Sequence, residues 1–493
     1  MAIIKLNAES MNKFSEEVVV PKYDRSKVNV GIVHIGIGGF HRAHQALYVD
    51  QLLHITGNEN WGICGIALRE HDKKIFNTLK EQDGLYTLVI KELDGSQTTT
   101  IVGSIVEYLF APEVPQVVIE KMAKEAIKII TLTITEGGYN YNETTKEFDF
   151  KNPLIQYDLE NPSNPKTVFG YITQALKLRK ERNLKGLAIQ SCDNIQGNGH
   201  VMQRMLISFV EKAEPQLVEW IKSNVSFPNS MVDRITPVTT QLDIEELKET
   251  FEIDDSWPVV CEPFKQWIIE DDFAVGRPAW ETVGAQFVEN VAPYEKMKLT
   301  LLNAGHTVLG VLGALIGYDT IDQAVNNKNL STFLRYFMDV EVTPHLGDVV
   351  GINLTDYKNL LLERFGNINI RDQIDRICSE SSTKIPIFIL PTVKAQLEKN
   401  ASVKASAFVI AAWAIYNLGL NENGKTLHIN DEIADELHAR AIEATYNPRL
   451  FLEDETVFGN LQESSKFIEA YTDAYRNIMK FGIEKSLIKN DWS

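Results

Sequence analysis

Three polar side chains interrupt the otherwise apolar stretch PYEKMKLTLLNAGHTVLG: Lys298, Asn303 and His306. Wound as an α-helix at about 100° per residue, Asn303 lies roughly 140° and His306 roughly 80° around the axis from Lys298, so one broad face carries all three. An uncharged lysine can take the proton of a hydroxyl, while asparagine and histidine can hold the oxygen as negative charge develops on it. That lysine needs a pKa brought down from about 10.4, which removal from water would supply. Glu295, one turn earlier, can pass the released proton to solvent. Singly, each residue has a plainer use, a lysine snorkelling past apolar surface or a carboxylate standing in water. Together they describe the oxidation of an alcohol, provided a hydride acceptor is bound nearby.

Two further segments offer that chemistry support. Ser191-Cys192-Asp193-Asn194 closes a buried apolar run, and Asn194 can serve as a second donor to the reacting oxygen or simply cap a turn. TITEGGY, Thr133 to Tyr139, also ends such a run, placing Glu136 as a relay or as the organiser of a glycine turn. Nearer the start, Gly36-Ile37-Gly38-Gly39, followed by Phe40, lies between a β-branched run and a helical one. Glycines there let backbone amides approach a pyrophosphate at a helix N-terminus. The spacing departs from GxGxxG, since His41 holds the last glycine position. In LREHD, Glu70 or Asp72 can take the ribose hydroxyls and favour NAD, whereas Arg69 could accept the extra phosphate of NADP.

The elements that must position these residues read as follows. VNVGIVHI, WGICGIAL, IKIITLTI and GLAIQS are short, continuous apolar strands, and FHRAHQALYVDQLLHI and Val168 to Arg182 are helical in period. YTLVIKELDG and TTIVGSIVEYLF flank an Asp94-Gly95 turn and predict a hairpin. Strands alternating with helices make the first part an α/β, doubly wound, expanded Rossmann-type domain, residues 1–288. From about Val291 the pattern becomes helical: Pro293 can begin a long helix, and Lys404 to Leu418 and Ser464 to Lys480 follow. Residues 289–493 form a mainly α-helical second domain, and the cleft between the two is the expected working surface.

Composition narrows the partners. A chain of 493 residues, 44% hydrophobic and 24% charged, should be compact throughout. The net charge of −18 repels phosphate backbones and anionic lipid, so nucleic acid and membrane surfaces are not expected partners. Met1 to Phe14 lacks a leader pattern, and no run reads as a membrane span; Ala405 to Leu420 comes nearest and reads as a buried helix. Four scattered cysteines form no CxxC and the ten histidines no HExxH, so no metal is expected and a cytoplasmic location is.

Taken together, HIGIGGFHRAHQ, TLTITEGGY, SCDN, FPNSMVDRITP, VVCEPF, the KxxxxNxxH array and LTDY followed by RF resemble the polyol-specific long-chain dehydrogenase/reductase family over almost the whole chain. The resemblance implies a zinc-independent enzyme, often monomeric, oxidising a sugar alcohol at C2 to its ketose, D-mannitol to D-fructose, with NAD. It implies Lys298 as base, Asn194 and Asn303 on the reacting oxygen, His306 orienting the substrate, and Asp233, Arg376 and Lys384 on the polyol chain. By themselves Arg376 and Lys384 would pass as surface charges, and Asp233 could pair with Arg234. Within the family, a fructuronate or tagaturonate reductase would instead match Arg376 and Lys384 with a substrate carboxylate. Outside it, the alternative is a nucleotide-sensing protein without catalysis.

Overall fold

The structure, a computed structural model, describes residues 3–141, 147–490 and Trp492. The chain divides into two compact units, Met1–Ala292 and Pro293–Ser493.

At the centre of the first unit is a parallel sheet of β1 (Val30–Ile35), β2 (Gly62–Ala67), β3 (Ile105–Phe110), β4 (Ile129–Leu132) and β5 (Ala188–Ser191). Its order is β3-β2-β1-β4-β5, so the chain runs outward from β1 and then crosses back to β4. Alternate residues serve two cores, as a two-residue period requires. Val33, Cys64, Ile130 and Ile189 pack under the helices Pro115–Ala123, Val168–Glu181 and Asn198–Ala213. Ile32, Ile63, Ile129 and Ala188 face the opposite way, with Leu47, Leu52 and Phe76. Both faces are covered, which is why these strands read as unbroken apolar runs.

Three features of this unit depart from the sequence pattern. Tyr86–Lys91 and Gln97–Val102 do pair as an antiparallel hairpin, but the predicted second arm is two strands in two sheets. Gly103 N–H donates to Asp50 Oδ1 at 2.8 Å and Ser104 Oγ to the Ala46 carbonyl at 2.7 Å, which turns the chain before β3. Nor is the helix after the glycine turn continuous: it runs Gly39–Ala43, breaks at His44 and resumes at Gln45–Leu53. The Arg42 carbonyl accepts from Tyr86 Oη at 2.7 Å and the Ala43 carbonyl from Arg234 at 2.8 Å, so distant side chains hold acceptors that a helix would use. Finally, Ser230–Asp233, Gln266–Glu270 and Gln286–Val288 form a separate three-stranded sheet that the sequence pattern did not reveal.

The second unit is helical. Its first helix runs unbroken from Ala292 to Ile316, 25 residues, long and apolar enough to cross a membrane by length and composition alone. The expectation that no run reaches that length is therefore overturned; the segment is almost wholly buried inside the protein and serves as its core helix. The helices Ile321–Asn326, Ile374–Cys378 and Lys404–Tyr416 pack on it. A Cβ at Gly310 would lie 2.8 Å from Ile377 and one at Gly313 2.8 Å from Ile374, so these glycines admit Ile374–Cys378 at close range.

Candidate active site

All five strands of the central sheet are parallel, so the segments that follow β1, β2, β4 and β5 leave it at one edge. After β1 comes the glycine turn. Gly36 has φ +106°, and a Cβ there would sit 2.1 Å from the Thr133 carbonyl oxygen, so both conformation and space demand glycine. At Gly38, by contrast, a Cβ would meet nothing within 4 Å. Gly38 is also the N-cap of Gly39–Ala43, and no side chain caps its amides. Open space before uncapped helix amides suits a pyrophosphate, so this turn fits a dinucleotide.

Beneath the turn lies a layer of buried histidines. His34 bonds Thr131 Oγ1 at 2.7 Å and Thr133 Oγ1 at 2.9 Å, and its ring stacks on that of His41 at 3.4 Å. Burial pushes His34 and His44 each down to about 3 and His41 well below the ordinary imidazole range. His41, in the position of the missing third glycine, is thus part of the packing that supports the turn. After β2, Arg69 and Glu70 are exposed, while Asp72 Oδ2 accepts the Arg69 amide at 3.0 Å and closes the turn before the helix Lys73–Glu81.

Asp193, the neighbour of the candidate donor Asn194, is the hub of the next segment. Its carboxylate accepts the Ile134 and Thr135 amides at 3.0 Å each and the Tyr139 hydroxyl at 2.7 Å, tying SCDN to TITEGGY. Thr135, at φ +61°, is held in a conformation that costs a β-branched residue about 1–3 kcal/mol, immediately before Glu136. Asn198 Nδ2 bonds the Asp193 carbonyl at 3.1 Å and the Ser230 carbonyl at 2.7 Å, joining this turn to the strand that ends at buried Asp233. Arg234 donates to the Glu262 and Ala43 carbonyls, so its guanidinium braces the broken first helix. Asn194 and Glu136 are thus placed at the edge where the glycine turn also lies.

In the second unit the helical winding itself changes at the reactive residues. Ala292–Lys298 is α-helix, Leu299–Asn303 is π-helix, and Ala304–Ile316 is α-helix again. A π turn takes about 4.4 residues, roughly 80° each, so Asn303 stands roughly 40° from Lys298 and His306 within about 20° of it. The regular helix assumed above put them 140° and 80° away; the π turn gathers all three onto a narrow face. Thr300 Oγ1 donates to the Lys296 carbonyl at 2.7 Å within this segment. Lys298 is 5% exposed and Glu295 is also buried.

His306 is the centre of a charged cluster. Burial first, and then Arg376, Arg364, Lys298 and Lys384, hold it well below its ordinary pKa, so it is a neutral ring. Its Nε2 lies 3.8 Å from Asp372 Oδ2, and its ring sits 4.5 Å from Phe365. Asp372 in turn accepts Arg376 Nε at 2.8 Å and Nη2 at 2.6 Å, a bidentate pair across one helical turn. Lys384 Nζ bonds the Ile377 carbonyl at 3.0 Å, at the end of the helix that carries Arg376. The structure thus brings Lys298, Asn303, His306, Arg376 and Lys384 into one unit, and adds Arg364 and Asp372. Arg364 stood in the RF pair noted in the sequence, whereas Asp372 had no local signal beyond its four-residue spacing from Arg376.

The mannitol dehydrogenase Rossmann domain model matches residues 30–282, and the mannitol dehydrogenase C-terminal domain model residues 290–479. Mannitol 2-dehydrogenases of Aspergillus clavatus and Aspergillus oryzae are each 42% identical over 500 residues, covering 99% of both chains. Among solved structures, a Pseudomonas fluorescens mannitol 2-dehydrogenase ternary complex with NAD and D-mannitol superposes with a TM-score of 0.95 at 41% identity, covering 99% of each chain. A substrate-free D-sorbitol dehydrogenase does so at 0.86 and 34%, covering 98% of this chain and 100% of its own. With both domain models matched in order and full-length relatives above 40% identity, this chain is a member of the mannitol dehydrogenase family.

Proposed function

We propose that this protein is an NAD-dependent polyol dehydrogenase that oxidises D-mannitol at C2 to D-fructose, releasing a proton and NADH. The observation that carries the reading is the narrow face of Lys298, Asn303 and His306 made by the π turn. The Lys298 amine takes the C2 hydroxyl proton as the C2–H bond breaks, and the Asn303 amide holds the oxygen through the transition state. The glycine turn Gly36–Gly39 would hold NAD, whose nicotinamide would supply the acceptor for the hydride from C2. Neutral His306 and the Arg376 guanidinium orient the polyol through its other hydroxyls. On the family pattern Asn194 is a second donor to the oxygen and Asp233 a contact of the polyol chain; by their own chemistry Glu295 and Glu136 are outlets for the proton. The protein acts as a monomer in this reading, which sedimentation analysis would test.

A panel of hexitols and pentitols assayed with NAD and with NADP is the direct test. Mannitol with NAD should give the highest kcat/KM, and Lys298→Ala should lower kcat by about 10²–10⁴-fold with NADH affinity retained. Unchanged turnover in that variant, or a large advantage for NADP, would overturn the reading. Activity should also survive a chelator.

A further inference from the structure

A neutral hexitol and a sugar acid of the same length differ by one carboxylate, and Arg376 is the natural partner for it. A guanidinium offers five N–H donors, and its flat edge matches a carboxylate bidentately. In this structure that edge already has an internal partner. Asp372, 5% exposed, takes Nε and Nη2 of Arg376 together and presents the same Oδ2 at 3.8 Å from His306 Nε2. Because Asp372 sits four residues before Arg376 on the segment leading into Ile374–Cys378, it accompanies the guanidinium whatever binds.

We propose that Asp372 is a specificity-determining residue that makes this site prefer neutral polyols and ketoses to their acid counterparts. It acts twice. The charge of Arg376 is met inside the protein, and a substrate carboxylate seeking the remaining edge would face Asp372 across one guanidinium, where like charges repel. The N–H groups left over suit hydroxyls, each of which needs one donor rather than a fork. Lys384 and Arg364 also act on His306 as cations; without Asp372 the cluster would favour an anion. The inference rests on the polyol reading above and refines its substrate class.

The test is the ratio of kcat/KM for a keto-hexuronate to that for D-fructose, measured in the reducing direction. Asp372→Asn should raise this ratio by at least about tenfold, chiefly through a lower KM for the acid, and Asp372→Glu should hold it near the parent value. A parallel fall for both substrates, with the ratio unmoved, would show a merely structural role and overturn the proposal. The parent enzyme gives a second measurement that does not depend on a variant folding. D-mannonate should bind at least about tenfold more weakly than D-mannitol, and equal or tighter binding overturns the proposal. A parent that reduces no neutral ketose defeats the polyol function itself, whereas fructose reduction with an unmoved ratio defeats only the role of Asp372.

Discussion

Asp193 joins two loops through one carboxylate, and burial raises that carboxyl to about 7, with amide and Tyr139 hydrogen bonds pulling down and Glu136 adding to the rise. Its unfolded value is near 3.8, so the folded chain keeps a proton there that the unfolded chain has lost. The stability it contributes is therefore complete below about 3.8 and is lost as pH rises toward 7. Comparing Asp193→Asn with the parent by chemical unfolding, the parent should lose up to about 4 kcal/mol relative to the variant between pH 4 and pH 7. A constant difference would mean the carboxyl titrates as an exposed one. His34 and His44, held down to about 3, carry the opposite sign: their contribution is present above about 6.5 and lost as pH falls. Lys298, Asn303 and His306 were legible in the sequence because a polar residue in an apolar run is conspicuous. Asp193 and Asp372 were not, because their partners lie on other segments or give no pattern of their own, and Arg364 showed only as part of the RF pair.

The π turn Leu299–Asn303 is in effect one extra residue in a helix, and that gives it a distinct response to deletion. Removing Thr300 takes out the surplus residue and leaves both flanks in register, so the protein should fold with a melting temperature within a few degrees of the parent. Removing Leu309, a fully buried residue in regular helix, rotates all that follows by about 100° and should abolish soluble expression. Equal damage from the two deletions would argue that the π winding is not an insertion. Apolar runs and helical periods located β1, β2, β4, β5 and the long helices, since burial on both faces or on one stripe writes itself locally. The break at His44 and the turn at Gly103 were hidden because Tyr86, Arg234 and Asp50, which impose them, reach across 44 to 191 residues of sequence or act through buried carbonyls.

Each core of the first unit is built within it: the two clusters flanking the central sheet and a smaller one around Leu6, Val89 and Ile253 draw only on residues before 292. Met1–Ala292 made alone should therefore fold and bind NADH, read by the fluorescence of the bound nucleotide, with no response to D-mannitol. An unfolded fragment would show that the second unit is required for the first. The two-part organisation was readable from the change of period near Val291. The use of a span-like helix as the core of the second unit was not, because hydropathy alone cannot distinguish a protein interior from lipid. That helix has a consequence during synthesis. Ala292–Ile316 leaves the ribosome well before Ile374–Cys378 and Lys404–Tyr416, the segments that shelter it, have been translated. For that interval the nascent chain displays a largely apolar 25-residue segment to the surroundings, so chains stalled short of residue 404 should be heavy clients of ribosome-associated chaperones and should precipitate where those are depleted.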